Sequence, residues 1–466
     1  LSFKATWELR ADFAVALSKM YGEEVPAYHT LVEVSEQVNH DFLAKQGANA
    51  ERLGSIRRVT AERHGAIRVG TPEELHQVAK IFRAFGMFPV GFYDLRDASQ
   101  SSVPVVSTAF RPIDDSELAK NPFRVFTSML AVDDPRFFNL DVQDRLRGFL
   151  NKRQLFTPEL LDLAQQAIDN EGLEEEAAQE FIDLACAAFK LSDDPVDEAW
   201  YRELEGISAV AADIGGVSST HINHLTPRVL DIDALYQRMS DLGITMIDEI
   251  QGPPNWDGPD ILLRQTSFRA LDEQRQFRFA DGTVGPGSLR VRFGEVEQRG
   301  IALTPKGRGL YDSMLAEVDD RMQNDPGRTR VEIAREVWQE YLPTTEAELC
   351  RRGLGYFTFY PAEGAKSSHN GVAKLSDLIE SKVVIAEPIV YEDFLPRSAA
   401  GIFQSNLTGA GSRDNEQTGT AYDIESFEEI IGERVHDPFD LYRSQSIRSL
   451  EQLETQLSLT IENDIF

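Results

Sequence analysis

Apolar residues recur at helical spacing through the first 55 residues, where Phe13, Leu17 and Tyr21 form one stripe and Leu31 and Val34 continue it. The period then changes. Arg63 to Val69 reads as a strand closed by the turn Gly70-Thr71-Pro72. Thr71 is a suitable N-cap, Pro72 fits the first helical position, and Glu74 completes a capping box, so a helix is predicted to about Phe85 with its stop at Gly86. Phe88 to Leu95 and Val103 to Phe110 follow as strands, and residues 114–205 read as mainly helical. The strand signal returns at Ser218 to Leu230. A helix from Asp233 to Leu242 comes next, then strands at Thr245 to Ile250, Ile261 to Phe268 and Leu289 to Glu297. Residues 312–350 are again helical, and the remainder is mixed, with Gly- and Ser-rich loops near 364–371 and 400–415.

Two of these strand–helix stretches align. His64-Gly-Ala-Ile-Arg68-Val69 leads to Leu75, and His224-Leu-Thr-Pro-Arg228-Val229 leads to Leu235, so in both copies the arginine stands four residues and the leucine eleven beyond the histidine. The repeat predicts an α+β fold in which two β-α-β-β-β modules pack around one curved sheet. The expected organisation is a helical segment at 1–55, a first module at 56–113, a helical insertion at 114–205, a second module at 206–300, and a mixed region at 301–466 that completes a pocket.

Charge narrows the function. The formal net charge is -30, with 77 acidic against 47 basic residues, and such a surface repels nucleic acid and anionic lipid. An anionic ligand would need its own cation inside a pocket. The run Glu174-Glu175-Glu176 reads as a solvated helix face. Cys186 and Cys350 make neither a disulfide framework nor a metal-type cysteine pair, and Cys186 reads as a small buried hydrophobe. No basic-then-apolar leader and no membrane-length apolar run is visible, so a cytoplasmic protein without a membrane partner is expected.

Histidine is scarce, with eight in the chain, and two of them occupy equivalent positions in the repeat. Alternation puts His64, Ala66 and Arg68 on one strand face. A pseudo-twofold between modules would bring His64 opposite His224, and the strand Arg292 to Arg299 offers a carboxylate as third ligand. Two imidazoles and a carboxylate leave coordination positions open, the pattern of non-haem Fe(II) oxygenases, whereas a structural zinc site closes with a fourth ligand, usually sulfur. Arg68 is the candidate cation for a substrate carboxylate, since a guanidinium binds one bidentately.

The stretches Arg63-His-Gly-Ala-Ile-Arg-Val-Gly-Thr-Pro, Asn223-His-Leu-Thr-Pro-Arg and Phe293-Gly-Glu-Val-Glu-Gln-Arg resemble those of the 2-oxoadipate dioxygenase/decarboxylase family, as does Leu395-Pro-Arg-Ser-Ala-Ala-Gly-Ile-Phe-Gln-Ser-Asn-Leu407. The resemblance runs over nearly the whole chain. It implies a distant kinship with the vicinal-oxygen-chelate enzymes, in which a Phe-x-Glu-x-x-Gln-Arg strand supplies the carboxylate ligand; that singles out Glu295 over its face-mate Glu297. It further implies Fe(II), a 2-oxo acid and O2 as reactants, 2-hydroxyglutarate and CO2 as products, and a place in lysine catabolism. Arg68 and Ser398 are carried over as substrate contacts. Arg397 stands where the family pattern has an apolar residue, and a second cation there would alter substrate preference.

Rival readings attach to each residue. His221 lies three positions before His224, and on a continuous strand the two face opposite ways, with the repeat register favouring His224. A lone histidine is more often a hydrogen-bonded core residue than a ligand, and a lone Glu295 more often a surface one. Arg228 reads as structural after Pro227. His369 reads as part of a solvated loop with a lid as the alternative, and His29, His40, His76 and His436 belong to no constellation. Gly364 to Gly371 lacks the strand and helix of a phosphate loop. Two other classes compete with the oxygenase: a non-redox lyase or isomerase of the glyoxalase kind using Zn or Ni, and a non-catalytic small-molecule-binding relative.

Overall fold

A computed structural model describes residues 2–51, 53–61, 63–97, 102–290, 292–325, 327–365, 371–396 and 417–466. The chain is a mixed α+β protein whose largest sheet has five strands: β1 (Arg63–Val69), β2 (Phe88–Asp94), β3 (Val105–Arg111), β4 (Arg124–Leu130) and β5 (His224–Pro227). Their spatial order is β2-β3-β4-β1-β5, with β1 parallel to β4 and antiparallel to β5. A second antiparallel pair, β6 (Leu263–Phe268) and β7 (Gly294–Arg299), meets the edge at β5 through a parallel bridge between Arg228 and Glu297. The Val229 N–H donates to the Glu297 carbonyl at 2.8 Å across that seam.

Strict alternation of side chains gives every one of these strands two different faces. Ile67, Val69, Val106, Phe110, Val125, Met129, Leu225, Phe268 and Val296 turn one way and pack against the helices Thr6–Glu24, Pro72–Ala84 and Ile232–Asp241 through residues such as Phe13, Phe82 and Leu235. Ala66, Val105, Ala109, Phe126, Leu130 and Leu263 turn the other way, toward a core that includes Phe394 and Leu395. His64, Arg68, Gln265, Glu295, Glu297 and Arg299 share this second face, and the functional site lies there.

Local chemistry explains the element ends. Thr71 caps the helix Pro72–Ala84 by accepting from the Glu74 N–H at 3.1 Å. The expected return bond of a capping box is displaced by one residue: Glu74 accepts from the Gly70 N–H at 2.6 Å and binds Arg153 at 2.7 Å, since this carboxylate is buried and takes a cation.

Some expectations need correcting. Residues 114–205 contain β4, whose two faces are both buried and which therefore lacks the polar alternation of a half-exposed strand. The strand expected over 218–230 begins only at His224. Between β6 and β7 stands the hairpin Glu273–Arg278 and Val284–Leu289, rich in polar residues and glycine and mostly solvated. The helical region 312–350 resolves into Pro305–Asn324, Arg330–Tyr341 and Glu346–Arg351.

Candidate metal centre

Register brings the two repeat histidines together. In the β1–β5 pair Ala66 stands opposite His224 and His64 opposite Thr226, so both imidazoles rise from the same sheet face on neighbouring strands. Their rings lie 5.2 Å apart and perpendicular. On β7, Glu295, Glu297 and Arg299 occupy alternate positions of that face. His64, His224 and Glu295 each offer a donor atom within 4.8 Å of the others, and they are the only such His/Cys/Asp/Glu group among the described residues.

The orientation of the donors fits a metal ion. The His64 Nε2 lies 3.2 Å and the His224 Nε2 3.6 Å from the two Glu295 oxygens. Each Nδ1 faces a polar atom behind it: that of His64 lies in an ion-pair contact 2.8 Å from a Glu297 oxygen, and that of His224 is hydrogen-bonded at 2.9 Å to the Thr226 hydroxyl. Gln265 donates to Glu295. Tethering Nδ1 fixes which ring nitrogen points inward and keeps its lone pair aimed at the centre. All three donors are buried, at 1%, 4% and 3% exposure, so an ion here would exchange part of its hydration for three protein ligands and keep its other positions open.

Electrostatics distinguish the two imidazoles. Burial alone would lower the pKa of His64, but the adjacent Glu297 and Glu295 carboxylates outweigh it and hold it raised. Burial dominates at His224 and depresses it to about 4 despite Glu295. Burial also disfavours the Glu297 charge, yet Arg299, His64 and Arg124 hold that carboxyl well below the usual range.

Arg68 lies on the same strand face as His64, and its guanidinium is tied to the buried Asp213. Asp213 comes from the helix Ala209–Gly216 and also accepts from the Asn223 amide at 3.0 Å, while its other oxygen lies 2.9 Å from the His221 Nε2. His221 therefore reaches the Arg68 cluster. The expectation that it turns away from His224 presumed a strand running through both residues, and here the strand starts at His224. Burial opposes the Asp213 charge, but His221 and Arg68 hold its carboxyl below the usual range.

The segment Tyr391 to Phe394 closes the face. Phe394 meets the His64 ring edge-on at 4.9 Å and the Phe126 ring at 5.1 Å, while Phe293 stacks on His224 at 5.3 Å. Asp393 forms a two-pronged bond with Arg111 at 2.7 and 3.0 Å, and Glu392 binds Arg124 at 2.9 Å. Arg397 and Ser398, expected as substrate contacts, lie outside the described residues, as does His369. Arg228 donates to the Leu53 carbonyl at 2.7 Å, in keeping with a structural reading.

Sequence reasoning missed Asp213, Gln265 and Thr226, and it read Glu297 only as a face-mate of Glu295. Asp213 carried a signal: it is the only charged residue in Ala-Val-Ala-Ala-Asp-Ile-Gly-Gly, where a carboxylate must find a buried partner.

Comparison with known proteins places the chain among relatives of known name. The sequence profile of the 2-oxoadipate dioxygenase/decarboxylase family matches residues 13–406. A 2-oxoadipate dioxygenase/decarboxylase of Mycobacterium bovis is 54% identical over 437 residues, covering 94% of this chain and 96% of that protein. One from Pseudomonas putida is 41% identical over 464 residues, covering 97% of each. The crystal structure of the hydroxyglutarate synthase from Pseudomonas putida in complex with 2-oxoadipate superposes with a TM-score of 0.84 at 39% identity, over 98% of this chain and 100% of that one.

Proposed function

From the premise that the chain belongs to the 2-oxoadipate dioxygenase/decarboxylase family, we propose that it converts 2-oxoadipate and O2 to 2-hydroxyglutarate and CO2, with Fe(II) held by His64, His224 and Glu295. The observation that carries this reading is the meeting of those three donors, both imidazoles presenting Nε2 to one carboxylate. Bound Fe(II) supplies the electrons that activate O2 and a Lewis-acidic seat for a 2-oxo acid. The 2-oxo acid is itself the reductant, so no nicotinamide or second oxo acid is needed.

The residues of this chain do the rest. His64 and His224 stay oriented because Glu297 and Thr226 hold their far nitrogens. Arg68 takes a carboxylate of the dicarboxylic substrate; a guanidinium has five donors, and Asp213 aligns it through Nη1. Ser398 and Arg397 complete the substrate contacts. Phe394 and Phe293 keep water from the imidazoles, which strengthens every charge interaction in the site. Glu295, Glu297 and Asp213 against Arg68 and Arg299 leave one formal negative charge, which a divalent cation would reverse. That reversal supports capture of a dianion by a protein whose overall charge is -30.

The finer architecture belongs to the same proposal. A β-α-β-β-β unit comprising β1 to β4 and a second built around β5 to β7 form a vicinal-oxygen-chelate-like curved sheet, with the remaining regions as helical insertion and pocket wall. No described helix is long and apolar enough to cross a membrane, and both cysteines are free, which supports a cytoplasmic setting.

The deciding experiment loads metal-free protein with Fe(II) and 2-oxoadipate anaerobically, then admits O2 while CO2 and 2-hydroxyglutarate are measured. Equal yields of the two only after O2 are expected, and neither product from His64→Ala. Turnover without O2, or no product with it, would overturn the assignment.

A further inference from the structure

We infer that Glu297, braced by Arg299, is a positioning residue that ties the His64 imidazole to the segment Tyr391–Phe394, so that metal seat and pocket wall are set by one rigid ring. This rests on the function proposed above. The ring can be followed atom by atom. The Glu297 Oε2 lies 2.8 Å from the His64 Nδ1 and accepts from the Arg299 Nη2 at 2.9 Å, while its Oε1 accepts from the Arg299 Nε at 2.8 Å. The Arg299 Nη1 donates to the Tyr391 and Asp393 carbonyls, both at 2.9 Å. Its guanidinium carbon sits 5.3 Å from the Phe394 ring centre, and that ring returns to His64 at 4.9 Å.

Glu297 is fully buried, and a buried ion pair rarely stabilises a fold on its own account. What it does provide is direction. A carboxylate accepts only, so the His64 Nδ1 must carry the hydrogen and Nε2 must present its lone pair toward Glu295. The planar guanidinium then grips both Glu297 oxygens and transmits that geometry to the Tyr391 and Asp393 carbonyls of the covering segment. Glu295 and Glu297 are thus different in kind, although both are glutamates on one strand face.

The test compares wild type, Glu297→Gln, Arg299→Lys and His64→Ala. Fe(II) affinity is measured anaerobically by chelator competition, and the visible charge-transfer band of the ferrous protein is recorded with 2-oxoadipate present. Glu297→Gln should bind Fe(II) about 10- to 100-fold more weakly and shift the band, because the amide is a poorer acceptor and releases Arg299. Arg299→Lys, which keeps the cation but loses the fork, should do the same to a smaller degree and serves as the readout should Glu297→Gln not fold. Affinity within twofold of wild type and an unmoved band in these variants, with binding lost in His64→Ala, would overturn the positioning role alone. Equal Fe(II) binding by wild type and His64→Ala would overturn the metal seat as well.

Discussion

Asp213 offers the sharpest test of how the charges beneath the site are balanced. Its carboxylate faces Arg68, the His221 Nε2 at 2.9 Å and the Asn223 amide at 3.0 Å, and it is 3% exposed. Asp213→Asn preserves the shape but removes the charge facing a buried guanidinium, a change that costs about 3–5 kcal/mol when one partner of a buried pair is removed. Unfolding entropy scales as roughly 2.1 cal/mol/K per residue, or about 1 kcal/mol/K for 466 residues unfolding together, so Tm should fall by about 3–5 °C by calorimetry. The pH dependence has a definite sign. A carboxyl held below its unfolded value of about 3.9 contributes stability that is complete above that value and is lost as pH falls through the lower folded value. The deficit of Asp213→Asn should therefore be flat from about pH 5 to 8 and close only below about pH 4. The double variant Arg68→Met/Asp213→Leu removes both charges and should recover most of the lost Tm while still failing to capture 2-oxoadipate. An unchanged Tm in Asp213→Asn, or a double variant worse than the single one, would refute the reasoning.

Other consequences follow from the same geometry. Bound Fe(II) at about a hundredfold excess over its Kd should stabilise the protein by roughly 2.7 kcal/mol, read as a Tm rise that a chelator reverses and His64→Ala abolishes. His224 is depressed to about 4 by burial, so in metal-free protein it contributes stability that is present above the unfolded value of about 6.5 and lost as pH falls toward 4. His224→Gln should flatten the acid-side decline in Tm across that window, and an unchanged slope would count against the shift. A Cβ on Gly294 would sit 1.7 Å from the Phe268 ring, so Gly294→Ala should cost about 1–3 kcal/mol in chemical denaturation and also impair Fe(II) binding through its neighbour Glu295.

The physics that made some of this readable in the sequence also explains what was hidden. The α+β character and the helix after β1 follow from local signals: alternation, the Thr71 cap and Pro72. The pairing of His64 with His224 came from a repeat, which encodes three-dimensional equivalence in one dimension, and the two rings do adjoin. Strand β4 escaped because a short run buried on both faces has no polar side to keep time by, and it sits between helical stretches whose periodicity dominates that region. Asp213 and Glu297 escaped for a different reason. A buried carboxylate and a solvated one are the same letter, and only the partners, Arg68 for one and Arg299 for the other, tell them apart.

The rung that sets Ala66 against His224 joins distant stretches of chain, so neither histidine-bearing strand alone owns a complete set of donors. A nascent chain that has made β1 but not β5 has one imidazole to offer, and a slip of one residue between the two strands would turn His224 into the helix-packed side of the sheet. Ion capture thus has to follow correct threading. A metal-loaded molecule would by construction be one whose distant segments have already found each other.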